Sequence, residues 1–144
     1  MGNIASVAQK NEGDVVFLVG HEAEEVRGHS FLFSAASPYF ETMLLGRKWA
    51  EALNRRVSLP ETSPSTFRHL RDYIHTGTIV LGAENVVEIL VASRHFNLDA
   101  LLDACLEHIS ISLDEENVWS LLFMADMYEL PELKVRTKPI LKLM

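Results

Sequence analysis

The side chains best suited to chemistry are one cysteine and six histidines, and their spacing assembles no reactive group. Cys105 and His108 stand at i and i+3, yet two ligands on one helix make no zinc site without a second pair. Cys105 also falls within an apolar stripe, which reads as a core thiol rather than an exposed, activated nucleophile. His69 and His75 share a predicted helix and read as surface or boundary residues. Asp114-Glu115-Glu116 suits the start of a helix, where negative charge complements the dipole, better than a metal site. Gly20, Gly28 and Gly46 are scattered, so no phosphate-cradling loop is present. No catalytic residue, metal ligand or cofactor site is expected, and an enzyme has nothing in its favour. One modification pattern stands apart: Met1-Gly2-Asn3-Ile4-Ala5-Ser6 fits N-myristoylation at Gly2, although so short a pattern also arises by chance. A lone acyl chain would anchor only weakly, and membrane contact is expected only if Gly2 carries it.

Composition bounds the rest. The chain has 144 residues, 48% hydrophobic and 23% charged, as expected of one folded domain with a short extension. The net charge is −7, and Arg55-Arg56 and Arg68 with Arg71 are isolated pairs, so nucleic acid is not an expected ligand. A single cysteine rules out an internal disulfide and fits a reducing compartment, cytoplasmic with the nucleus open. No apolar run approaches the roughly 18 residues of a membrane span.

The elements that must position any site alternate between strand and helix signals. Residues 3–10 have helical spacing, and Gly13 ends that segment. Val15-Val16-Phe17-Leu18-Val19 is a continuous apolar run suited to a strand covered on both faces, followed by a short strand around Val26. Ser37-Pro38 and Ser63-Pro64 are helix starts: a capping serine, then proline where no N–H is needed. Gly46 and Gly77 are the matching stops, and residues 47–54 form a loop or irregular helix carrying Trp49. Arg56 to Leu59 alternates like a half-buried strand, and Thr78 to Leu81 is another β-rich run. Gly82 leads into a helix apolar around most of its circumference at Val86, Val87, Ile89, Leu90 and Val91. Leu98, Leu101, Leu102, Cys105, Leu106 and Ile109 then form an uninterrupted helical stripe. Ser112-Leu113-Asp114-Glu115 reads as a capping box for a helix with two apolar stripes, one of them Trp119, Phe123 and Met127. A final helix starts at Pro131, and Pro139 is expected to break or end it. Three or four strands and about seven helices, partly segregated, point to an α+β fold.

Asp14-Val15, His29, Ser37-Pro38-Tyr39-Phe40, Val57-Ser58-Leu59-Pro60, Phe67, Tyr73-Ile74-His75-Thr76-Gly77 and Asn85-Val86, in this order, resemble the BTB/POZ domain. The resemblance implies a protein-interaction module: a small, mainly antiparallel sheet flanked by a cluster of α-helices, with a C-terminal helix pair. It divides the chain into an N-terminal segment (1–13), the domain (14–111) and the pair (112–144). The pair, from Asn117-Val118-Trp119 to Leu130-Pro131-Glu132-Leu133, looks like the 3-box that follows the domain in cullin-3 adaptors.

Carried over residue by residue, the resemblance places a cullin-binding hydrophobic-x-Glu tripeptide at Trp49-Ala50-Glu51, with Phe96 lining the same groove. Capping of the core by Trp49, and core packing by Phe96, are the alternatives. Phe31, Leu32, Phe33, Tyr39 and Phe40 exceed what one helix face buries, so a homodimer is expected, with Phe31, Leu32, Phe33 and Tyr39 at its interface. Family members that build a shared charged pocket carry a basic residue after the histidine equivalent to His29. Ser30 stands there instead, which leaves Asp14 without that partner, or simply as a strand-entry residue bonding nearby backbone. The expected function is substrate adaptor of a cullin-3 RING ubiquitin ligase, holding a protein substrate that the sequence does not identify. The alternative is an oligomerisation domain of a transcriptional repressor or cytoskeletal scaffold. No substrate-reading repeat is visible before Met144, so either the chain is part of a longer protein or its substrate site is unconventional.

Overall fold

A computed structural model describes residues 13–45 and 56–143. By compactness the chain divides into two units, Met1–Ile79 and Val80–Met144. The expected helix over 3–10, the Gly46 stop and the 47–54 segment with Trp49 lie outside the described residues.

In the first unit, β1 (Val15–Val19) is the middle strand of a three-stranded sheet, between β2 (Glu24–Gly28) and β3 (Arg56–Leu59). Val15, Val16, Phe17 and Val19 are all buried, which is why this strand shows no alternation, whereas β2 and β3 bury only alternate positions near their ends. The sheet, expected to be mainly antiparallel, is mixed. β1 pairs antiparallel with β2, from Val15 opposite Gly28 to Val19 opposite Glu24, and parallel with β3, from Val16 opposite Arg56 to Val19 opposite Leu59. A parallel neighbour needs a long crossover, and here the crossover carries β2 and the helices α1 (Ser30–Ala36) and α2 (Pro38–Leu45). α3 (Pro64–Thr76) completes the unit.

Both Ser-Pro pairs start helices, but only the first serine caps as expected. Ser37 Oγ accepts from the Tyr39 and Phe40 N–H groups at 3.1 and 3.3 Å, capping α2. Ser63 makes no such bond, so α3 starts on the fixed φ of Pro64 alone. α3 ends at Gly77, whose φ of 78° is the left-handed conformation that glycine adopts without penalty. The run Thr78 to Leu81 is not a strand: it has no ladder partner among the described residues, and Val80 is 84% exposed. A strand is made by its neighbour, and β propensity alone does not supply one.

The second unit holds only helices among its described residues: α4 (Val86–His95), α5 (Asp99–Ser112), α6 (Val118–Met127) and α7 (Pro131–Leu143). The stripe of α5 is realised, with Leu101, Cys105, Leu106 and Ile109 buried. The cap of α6 lies two residues later than the expected box. Asp114 Oδ1 accepts from the Glu116 and Asn117 N–H groups, both at 2.8 Å, while Asn117 Oδ1 accepts from the Asp114 N–H at 2.8 Å. Ser112 still belongs to α5, where its hydroxyl bonds back to the carbonyls of His108 and Ile109. α7 runs through Pro139 instead of stopping there. The ring deprives only the carbonyl of Val135, one turn earlier, of its partner, and Val135 is exposed, so water can take the vacant bond.

Candidate protein-interaction site

The centre of the first unit is a cluster of four phenylalanines, one each from β1, α1, α2 and α3. Phe17 of β1 lies 4.8 Å from Phe33 of α1 and 4.9 Å from Phe67 of α3 between ring centroids, and Phe33 lies 4.9 Å from Phe40 of α2 in an edge-on contact. Tilted and edge-on pairs at these distances suit aromatic quadrupoles and add to the burial of large rings. Gly28 makes the approach possible, since a Cβ there would lie 2.5 Å from the Phe33 ring.

This cluster fixes what α1 turns outward. Phe33 and Ser34 face the interior, while Phe31 is 77% exposed and Leu32, Ala35 and Ala36 are also on the surface. With i, i+4 spacing, Phe31 sits above Ala35 and Leu32 above Ala36, so two small side chains leave the larger ones standing proud. An exposed apolar patch of this kind is the usual mark of a protein contact.

The start of α1 is held by side chains from elsewhere in the unit. Asp14 accepts the Ser30 N–H on Oδ1 at 2.8 Å and the Ser30 hydroxyl on Oδ2 at 2.6 Å. Ser30 is thus itself a partner of Asp14, and the carboxylate caps the helix N-terminus from outside. The His29 N–H donates to Nε2 of His75 at 3.4 Å, and the two imidazoles lie 5.2 Å apart. Burial, the neighbouring His29 and Arg71 hold His75 below the ordinary histidine range, against the pull of Asp72. Nothing local in the sequence announces either pair.

The predicted site residues therefore fall into three groups. Phe31 and Leu32 are on the surface of α1, and Tyr39 is half-buried at the start of α2. Phe33 and Phe96 are interior: Phe33 belongs to the aromatic cluster, and Phe96, at the end of α4, is 1% exposed with its ring 4.7 Å from that of His95. Successive residues on a helix point about 100° apart, and the turn of α1 that exposes Phe31 and Leu32 sends Phe33 into the aromatic cluster, so Phe33 is a correction to the expected surface set. Phe96 is likewise packed rather than open. Trp49, Glu51 and Gly2 lie outside the described residues. Among the described residues no group of three or more His, Cys, Asp or Glu could hold a metal ion. Burial pushes the Cys105 thiol up to about 12, so it stays protonated and inert at neutral pH. No helix among the described residues is long and apolar enough to cross a membrane.

Comparison with known proteins agrees with this geometry. The model of the BTB/POZ domain family matches residues 6–113. The chain is 32% identical over 117 residues to the human Kelch repeat and BTB domain-containing protein 4, covering 81% of this chain and 22% of that protein. It is 30% identical over 125 residues to the zebrafish BTB/POZ domain-containing protein 6-B, covering 85% of this chain and 26% of the relative. The chain thus spans about a quarter or less of the curated relatives it matches. Among solved structures, the BTB domain of zebrafish PATZ1 superposes with a TM-score of 0.56 at 26% identity, over 67% of this chain and 74% of that one. The BTB domain of human gigaxonin shares the fold, with a TM-score of 0.60 at 24% identity, over 73% of this chain and 84% of that one.

Proposed function

The chain belongs to the BTB/POZ family, and from that membership we propose that it self-associates through α1 and serves as the substrate adaptor of a cullin-3 RING ubiquitin ligase. The observation that carries the reading is the outward face of α1, where Phe31 and Leu32 stand exposed above a rigid aromatic cluster. A second copy packing on that face would remove the apolar patch from water, and isologous pairing is the commonest way a soluble chain buries such a surface. Tyr39, half-buried beside it, would be covered in the same contact.

For the cullin contact the support is in the sequence. Trp49-Ala50-Glu51 supplies an indole to fill a pocket and a carboxylate to fix orientation at its rim, and tryptophan is among the residues most enriched at interface hot spots. Phe96, being buried, would act by shaping the end of α4 rather than by touching the partner. Residues 112–144, with α6 and α7, would be the helix pair that follows the domain. Such an adaptor works by proximity: two copies present two substrate sites and two ligase arms. Calorimetry with the N-terminal domain of cullin-3 tests the reading. Trp49→Ala with Glu51→Ala is expected to weaken binding about tenfold or more, the scale of a hot-spot loss, with thermal stability nearly unchanged. Absence of binding by the unaltered chain would remove the ligase role and leave an oligomerisation domain.

A further inference from the structure

α1 has only seven residues, Ser30–Ala36, too few to hold a helix in isolation, so its position depends on what grips it. Three grips lie at its first turn. The Asp14 carboxylate takes the N–H and the hydroxyl of Ser30. Phe33 is sunk in the aromatic cluster. The third is His75, from the last turn of α3. Its Nε2 accepts the N–H of His29, which precedes α1, and its ring lies edge-on to Phe33 at 5.9 Å between centroids. Phe31 and Leu32, the outward apolar pair, sit between these fixed points. An imidazole is the one group among the three whose ordinary titration falls between pH 5 and 8.

Proton uptake at Nε2 turns the acceptor of this bond into a donor. The surroundings do not absorb the new charge. The His29 imidazole lies 5.2 Å away between centroids, and Arg71 stands one turn earlier on α3, where it also donates to the Arg27 carbonyl of β2 at 3.1 Å. The carboxylates of the packed segments are already bonded: Asp72 by Arg71, Asp14 by Ser30, and Glu24 and Glu25 of β2 by Arg68 and Arg56. α1 itself carries no charged side chain. Burial, His29 and Arg71 accordingly hold His75 below the ordinary histidine range, against the pull of Asp72. The bond is therefore kept above that range and lost on acidification.

We propose that His75 is an acid-released latch on α1: proton uptake at Nε2 frees the His29 N–H, loosens the first turn, and withdraws Phe31 and Leu32 from the geometry needed for pairing. The pairing step rests on the self-association proposed above; the release of α1 does not. A proton shifts such an equilibrium only through its different affinity for the two states, and here only the fastened state needs a neutral ring. Hydrogen exchange, corrected for the intrinsic effect of pH, compares α1 with α5 at pH 7.5 and 5.5. It is read in the unaltered chain and in Phe31→Ser, which is expected not to pair, while sedimentation at the same pH values reads self-association. Protection of α1 is expected to fall about fivefold in both proteins, the scale of one hydrogen bond, with α5 unchanged. The dimer dissociation constant is expected to rise by at least as much, since two latches open. His75→Gln, an acceptor that does not titrate, is expected to hold both constant. His29→Gln keeps the backbone N–H and the titrating ring, and is expected to retain the response. An α1 response that persists in His75→Gln, vanishes in His29→Gln or is absent from the unaltered chain would overturn the latch. Release of α1 with an unchanged dimer would overturn its coupling to pairing. Release of α1 in a chain that is monomeric at both pH values would instead refute self-association and support the latch alone.

Discussion

His29 and His75 are 46 residues apart, yet one backbone N–H and one ring nitrogen join them at the start of the helix that carries the exposed patch. The bond requires a neutral His75, because a protonated Nε2 would turn a donor toward a donor. Burial first, then His29 and Arg71, depress its proton affinity in the folded chain below the ordinary 6.5. The unfolded chain therefore binds the proton first as pH falls. The stability contributed by neutral His75 is present above about pH 6.5 and is lost as pH drops through that value toward the folded pKa. His75→Gln keeps an acceptor that does not titrate. Urea unfolding at pH 7.5 and 5.5 should show a smaller loss of stability for this variant than for the unaltered chain. Equal losses would clear His75 of the role. Sequence alone offered His75 as a surface or boundary residue and Asp14 as a strand-entry residue bonding nearby backbone, and both judgements concern single positions. Their partners, His29 and Ser30, are set by the fold that brings the ends of β1, β2 and α3 to one place, which no local spacing encodes.

Elements whose signal is local were legible, and those that depend on a distant neighbour were not. β1 read as a strand covered on both faces because all five of its side chains are apolar, and four of them are buried; α5 was legible because its stripe repeats without interruption over three turns. The direction of β3 relative to β1, and the failure of Thr78–Leu81 to form a strand, depend on which backbone lies alongside, and propensity says nothing of that. Caps lie between these cases. Ser112-x-x-Glu115 has the residue types of a capping box, but Asp114 and Asn117, at the same spacing two residues on, hold the turn into α6. The two placements predict different variants. Asp114→Ala should cost about 1 kcal/mol of stability, the usual scale of a lost cap, in thermal or urea unfolding. Ser112→Ala should cost much less, since its hydroxyl only duplicates bonds to carbonyls of α5. The reverse order would return the cap to the serine.

For the whole molecule, the proposed function assigns self-association and ligase docking to separate segments, α1 and Trp49-Ala50-Glu51, so they should be separable. Phe31 lies on the surface and contributes little to the core, hence Phe31→Asp should yield a folded monomer by sedimentation. That monomer should bind the isolated cullin-3 N-terminal domain in solution with the affinity of the unaltered chain, since one copy then meets one ligand. On a surface dense in the same cullin fragment the two proteins should diverge. A dimer rebinds through its second arm at high effective concentration and should dissociate ~100-fold more slowly, while the monomer gains nothing. Loss of solution binding on Phe31→Asp would mean that α1 itself forms part of the cullin contact. Matching dissociation from the dense surface would mean that pairing does not present two arms together, and the proximity mechanism would lose its basis even if both contacts exist.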